Sequence, residues 1–234
     1  MNKPKLPQKE FLFEHQIQKL FKEIDNFQVE IDSVNYDESL IKGYDRVIIT
    51  GPQRSGTTFV CEAIAQTLGF KAVDEGIYVG RNRDGRTQRF ICNTKDKNIV
   101  VQAPTMVYNI HTLVGENDLV IFMKRKWSDI VKSLYRIAKQ QRPDNHLSNW
   151  ISMNTMYDIE KYHWSLDDSK CREVYEEVVD RNSYYLDAPY KMWKNYLVKN
   201  IPNSITLNYE SMKSHPMWID KKDRESFSQK QIRK

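Results

Sequence analysis

The chain has 234 residues, enough for one layered domain, and 40% hydrophobic with 29% charged residues excludes an intrinsically disordered polymer. A net charge of +5, from 36 Lys and Arg against 31 Asp and Glu, suits an anionic small ligand as well as a nucleic acid, so charge alone decides little. Cys61, Cys92 and Cys171 are far apart with no CxxC or His–Cys spacing, which speaks against a disulfide framework or a zinc site and for a reducing compartment.

Met1 to Lys9 is basic and carries prolines, but Phe11-Leu12-Phe13 runs at once into Glu14 and His15, so no signal peptide is expected. No run of eighteen apolar residues occurs, so no spanning helix is expected, and the expected location is the cytoplasm. Phe13, Ile17, Leu20, Phe21 and Ile24 recur at three- and four-residue steps. That period predicts an amphipathic helix in an N-terminal extension, residues 1–44, packed on the rest.

Arg46-Val47-Ile48-Ile49-Thr50 is a short β-branched run that ends at Gly51, the signature of a buried parallel strand. Thr57 to Leu68 places Val60, Ile64 and Leu68 on one helical face, and Gly69 stops the helix. Further strands are expected at Phe70–Val73, Asn98–Gln102 and Leu119–Met123, with helices near Thr105–Val114 and Ser128–Gln140. Leu147–Asn200 reads as mostly helical, with Pro189 acceptable early in a helix after Asp187. Ser204–Asn208 is a last strand, and 221–234 a basic tail. Strands alternating with helices indicate an α/β fold with a central, mainly parallel sheet flanked by helices in three layers, as one domain over residues 1–234.

The strongest local feature is Gly51-Pro52-Gln53-Arg54-Ser55-Gly56-Thr57-Thr58, between a strand and a helix. A loop there turns backbone N–H groups inward with a helix N-terminus behind them, which suits a phosphate-like anion. Gly51 and Gly56 keep the spacing of a Walker A loop, but Thr57 stands where the nucleotide-binding lysine belongs, and Arg54 is the loop's cation. The bland alternative is an ordinary strand-to-helix turn with a Ser/Thr cap.

Pro52-Gln53-Arg54-Ser55-Gly56-Thr57-Thr58 resembles the PRSGTT loop of the P-loop sulfotransferases, with one residue inserted between Pro52 and Arg54. The resemblance implies that Arg54, Ser55, Gly56, Thr57 and Thr58 hold the 5′-phosphosulfate of 3′-phosphoadenosine-5′-phosphosulfate (PAPS). It gives Arg54 a catalytic part as well, neutralising charge on the leaving phosphate oxygen. The run Val120 to Tyr135 is similar to the family's 3′-phosphate segment: a strand ending in Arg125, Asp129 four residues on, and Ser133 eight residues after the arginine. Arg125 would offer a fork to phosphate oxygens and Ser133 a hydroxyl. Taken singly, each reads equally as a solvated surface residue. Leu207-Asn208-Tyr209-Glu210-Ser211-Met212 is similar to the late strand-then-YE(D/S)L segment, whose role is taken as architectural.

The acceptor's proton needs a base. Many small-phenol enzymes of the family carry a Lys-Thr-His-like run after the third strand, whereas this chain has Gln102-Ala103-Pro104. The branches acting on protein tyrosine or carbohydrate use a glutamate after the loop helix, and Glu75, following Phe70–Val73, takes that place, with Asp74 its competitor. His111 is expected on the face of the helix after Pro104. Gln102 brings no charge where several relatives have lysine, so either Arg54 acts alone or Arg81, Arg83, Arg86 and Arg89 supplement it; those arginines could also read an anionic glycan, or form a solvated loop. Trp150, Tyr157, Tyr162, Trp164, Tyr184, Tyr185 and Trp193 form an acceptor wall or a core. Lys221, Lys222, Arg224, Lys230 and Arg233 are candidates to close over the nucleotide.

The expected reaction is sulfuryl transfer from PAPS to a hydroxyl or amine of a small-molecule or glycan acceptor, without a metal and without nucleic-acid or membrane partners. Two alternatives stay open. A P-loop kinase would need Mg²⁺–ATP and a lysine after Gly56. A non-catalytic PAPS- or nucleotide-binding protein would tolerate Gln102. Nucleic-acid binding rests on charge alone, with no recognised module.

Overall fold

The computed structural model describes residues 14–73, 94–104, 107–108, 110–141, 169–178 and 186–218. Five strands form one sheet: β1 (Arg46–Thr50), β2 (Lys71–Val73), β3 (Ile99–Gln102), β4 (Asp118–Lys124) and β5 (Ser204–Asn208). Their order is β2-β3-β1-β4-β5 and every pairing is parallel. Among the described residues the α-helices are α1 (Glu14–Glu23), α2 (Thr57–Leu68), α3 (Trp127–Gln141), α4 (Ser169–Val178) and α5 (Asp187–Asn195).

Strand side chains alternate between the two faces, and both faces are covered. Ile48, Val101, Val120 and Phe122 point into a core shared with α1, α3 and α5. Val47, Ile49, Val100, Leu119, Ile121 and Met123 point the other way, into a core closed by Val60, Cys61, Ala63 and Ile64 of α2 and by Tyr209 and Met212. Two faces covered by helices explain why β1, β3 and β4 read as continuous apolar runs. The result is the three-layer α/β arrangement expected from the alternation of elements.

The N-terminal helix contributes Ile17, Leu20, Phe21 and Ile24 to the first core, with Ile17 and Ile24 essentially without solvent contact. The chain then runs past the sheet edge, where Val34 pairs with Leu207 by N–H to O contacts of 2.8 and 3.0 Å through Thr206 and Asn208. Helix α2 ends where Gly69 N–H reaches the carbonyls of Ala65 and Gln66.

One expectation changes, and one open alternative is decided. The helix near Thr105–Val114 is, in the described residues, a 3₁₀ turn at Ile110–Thr112. Thr105, Val107, Ile110, Thr112 and Val114 are β-branched and weaken an α-helix through lost side-chain freedom. Trp193 is core rather than acceptor wall: it is buried, stacks on Phe122 at 4.7 Å, and its Nε1 donates to Thr206 Oγ1 at 2.8 Å. Pro189 stands in the first turn of α5, as read.

The segment after β5 is pinned to α2 by a buried imidazole. Met217 N–H donates to His215 Nδ1 at 3.1 Å, so the ring proton belongs on Nε2, which lies 2.9 Å from Thr67 Oγ1; that hydroxyl donates to Ala63 O at 3.0 Å. Burial holds the pKa of His215 below its usual value, with Glu38 opposing weakly. The unfolded chain therefore takes up the proton first as pH falls, and His215 draws down stability below about pH 6.5. The drop in melting temperature from about pH 7.5 to about pH 5.5 should shrink in His215→Gln; an unchanged drop would assign the acid sensitivity elsewhere.

Candidate functional site

Adjacent strands β1 and β4 send their chains to opposite faces of the sheet. From β1 the chain enters α2 on one face, and from β4 it enters α3 on the other. The carboxyl ends of these strands thus flank a topological switch point, the place where open parallel sheets bind ligands. Residues 51–58 leave β1 there, and Arg125 follows β4.

The loop passes close over β4. A side chain at Gly51 would meet the Met123 backbone N at 3.1 Å and O at 3.2 Å, and its φ of 132° is one that glycine adopts freely. Gly56, at φ 102°, has the Tyr209 ring where a Cβ would stand. Between them Arg54 has φ 67°, an uncommon left-handed conformation for a residue with a side chain. Ser55 N–H turns back to Pro52 O at 3.1 Å. Positive φ angles at Gly51, Arg54 and Gly56, interleaved with ordinary ones and followed by a helix N-terminus, are compatible with an anion cradle.

The side chains converge from three elements. Arg54 Nε donates to Ser133 Oγ on α3 at 3.2 Å. Arg125 Nη1 donates to the Arg54 carbonyl at 2.9 Å, and its guanidinium lies 4.4 Å from the centre of the Tyr209 ring. Arg54 of the loop therefore joins Arg125 and Ser133, which lie eight residues apart beyond β4, into one cluster. Tyr209 is the residue that sequence reasoning passed over as architecture. Its signal was positional: the parallel register sets Asn208 beside Lys124, so the next residue on each strand, Tyr209 and Arg125, meet at the same sheet edge.

Polar atoms here lack internal partners. Ser55 is buried and its Oγ has no hydrogen-bond partner, and Arg125 Nε is likewise buried without one. Leaving such groups unmatched costs about 1–3 kcal/mol each, which a bound anion would offset. Gln102, buried at the end of β3, donates from Nε2 to Thr57 Oγ1 at 3.2 Å. Thr57 thus receives a hydrogen bond on its oxygen and keeps its own O–H to donate. Thr58 is exposed one residue further on. The neutral Gln102 does not stand in for a lysine charge; it orients the hydroxyl of Thr57.

Lys124 is not available to the crevice, because its Nζ donates to Ile31 O at 2.8 Å. His111 lies on the 3₁₀ turn with its ring 5.4 Å from Tyr196, away from the cluster. Glu75 and Asp74, the four arginines 81, 83, 86 and 89, the aromatics from Trp150 to Tyr185 and the tail lysines and arginines lie outside the described residues. At the opposite, amino-terminal end of the strands a cavity of about 320 Å³ is lined by Asp45, Arg46, Lys97 and Asp118 among others. Four of its charges are paired, Arg46 with Asp118 and Lys97 with Asp45 at 2.9 Å.

Among the described residues no His, Cys, Asp or Glu cluster could hold a metal ion, and no helix is long and apolar enough to cross a membrane. No family model, curated protein or solved structure matches the chain.

Proposed function

We propose that this chain is a sulfotransferase, moving a sulfuryl group from PAPS to a hydroxyl or amine of a carbohydrate-like acceptor. The observation that carries the proposal is the meeting of Arg54, Arg125 and Ser133 at the switch point, beside a loop whose Walker lysine is replaced by Thr57. An ATP-dependent enzyme has no use for a second cation–hydroxyl pair beyond β4 and needs the missing lysine. A nucleotide with phosphates at both the 5′ and 3′ positions uses both.

The available donors fit such a ligand. Ser55 Oγ and Arg125 Nε are buried and unmatched, Thr57 has a hydroxyl proton to give, and Arg54 reaches from the loop to Ser133. Arg54, Ser55, Gly56, Thr57 and Thr58 would hold the 5′-phosphosulfate, and Arg125 with Ser133 the 3′-phosphate. PAPS, when bound, supplies an activated sulfuryl group on its 5′-phosphate. Arg54 then offsets charge on the departing phosphate oxygen through donors already fixed in place. Glu75, following β2, is assigned to take the acceptor's proton.

The test is incubation with PAPS and a panel of hydroxyl and amine acceptors that includes carboxylated glycans, read by the added mass of one sulfuryl group. Glu75→Ala should abolish transfer and leave binding of the product nucleotide, PAP, unchanged. Transfer at the normal rate in that variant would remove Glu75 as base. A second reading, a PAPS-binding protein without turnover, is favoured by Gln102, which puts an uncharged side chain beside Thr57. Tight PAP binding with no transfer to any acceptor would select it.

A further inference from the structure

Arg125 stands in a two-residue link between β4 and α3, and its peptide is held from outside that link. Tyr190 on α5 bonds both sides of it: Arg125 N–H donates to Tyr190 Oη at 3.0 Å, and Tyr190 O–H donates to Arg125 O at 3.1 Å. Tyr190 is buried, and burial pushes its pKa far above the ordinary tyrosine value, so the phenol stays a neutral donor and acceptor. Gln28, ahead of the first strand, bonds the same turn with both ends of its amide. Its Nε2 donates to Arg125 O at 3.1 Å, and its Oε1 accepts from Trp127 N–H at 3.2 Å. Asp25 completes the set by accepting from Ser128 N–H at 2.8 Å and Ser128 O–H at 2.5 Å, which caps α3.

These contacts join residues 65 to 103 positions apart onto Arg125, Trp127 and Ser128. A strand-to-helix link needs a helix cap, which Asp25 supplies. It does not need the N–H and the carbonyl of its first residue both bonded by distant side chains, and Arg125 is the residue so treated. We infer that Gln28 and Tyr190 are positioning residues that fix the Arg125 guanidinium for an anion, so that the segment before β1 and helix α5 set the affinity of the site through the backbone of Arg125. This rests on Arg125 being an anion ligand, as proposed above.

A double-mutant cycle tests it. PAP and inorganic pyrophosphate are titrated calorimetrically into the full chain as wild type, Gln28→Met, Arg125→Ala and the double variant, with melting temperatures recorded alongside. Gln28→Met should weaken PAP binding by about five- to tenfold, the worth of one or two hydrogen bonds, and by less than about twofold once Arg125 is already alanine. Tyr190→Phe should behave in the same way and serves if Gln28→Met does not fold. An equal loss in both backgrounds, or a lowered melting temperature with unchanged affinity, would make both residues merely structural and overturn the inference. Pyrophosphate binding without PAP binding would remove the sulfotransferase reading while the same cycle, run on pyrophosphate, still decides the positioning role. Binding of neither anion overturns both.

Discussion

Replacing Arg125 with alanine should weaken PAP binding by about 30- to 100-fold, equivalent to ~2–3 kcal/mol, the scale of charge-assisted hydrogen bonds to a phosphate. Arg125 is half-buried, braced by the Arg54 carbonyl and by the face of Tyr209, so little ordering remains to be done when an anion arrives. The ring contact adds about 0.5–1 kcal/mol to holding the guanidinium there. Arg125→Lys should recover only a small part of the affinity, because an ammonium cannot present a planar fork while stacked on Tyr209. Calorimetric titration checks the pair. Equal affinities in wild type and Arg125→Ala would take the arginine out of the site.

The second large effect concerns stability at the other end of the sheet. Asp118 begins β4 and receives Arg46 of β1 through two bonds, Nε to Oδ1 at 2.7 Å and Nη2 to Oδ2 at 2.5 Å. Gly115 N–H also donates to its Oδ2 at 2.8 Å, and Arg46 Nη1 reaches Thr94 O. Both side chains are largely buried, at 13% and 6% exposed, so the pair is not screened as a surface bridge would be. Asp118→Ala leaves a guanidinium in a poorly solvated place and should cost about 3–5 kcal/mol. For a chain of this size that lowers the melting temperature by roughly 10 °C. PAP affinity below the new transition should be unchanged, since the pair lies at the amino end of the strands. A shift of only one or two degrees would mean that water reaches Arg46 once the carboxylate is gone.

Much of the frame was legible because β-branched runs leave few alternatives. Arg46–Thr50 and Ser204–Asn208 fall on the observed strands residue for residue, as Thr57–Leu68 does on α2. The loop was legible from its glycines. Their reasons are visible in the close approach of Gly51 to Met123 and of Gly56 to Tyr209. Arg125 and Ser133 were legible through a resemblance in spacing, and they do come together with Arg54.

What escaped the sequence depends on contacts between distant elements. Nothing local marks Tyr209 as the surface under Arg125; strand register does that. Nothing in the polar stretch around Gln28 announces an amide that bonds a turn 97 residues away. Trp193 read as a possible wall because its helical period fits core and surface equally well, and only packing on Phe122 decides between them. The helix near Thr105–Val114 departs for the opposite reason: helical spacing was present, but β-branched residues oppose it, and the described residues there form a 3₁₀ turn at Ile110–Thr112.

The central claim is that the loop at Gly51–Thr58 and the Arg125–Ser133 pair together hold a nucleotide phosphorylated at both 5′ and 3′ positions. The most direct measurement is calorimetric titration of the wild-type chain with PAP, 5′-AMP and Mg²⁺–ATP under one set of conditions. Binding of PAP at least about tenfold tighter than 5′-AMP, with Mg²⁺–ATP weakest, is expected from the added 3′-phosphate contacts. Tighter binding of Mg²⁺–ATP than of PAP, or equal affinity for PAP and 5′-AMP, would contradict it.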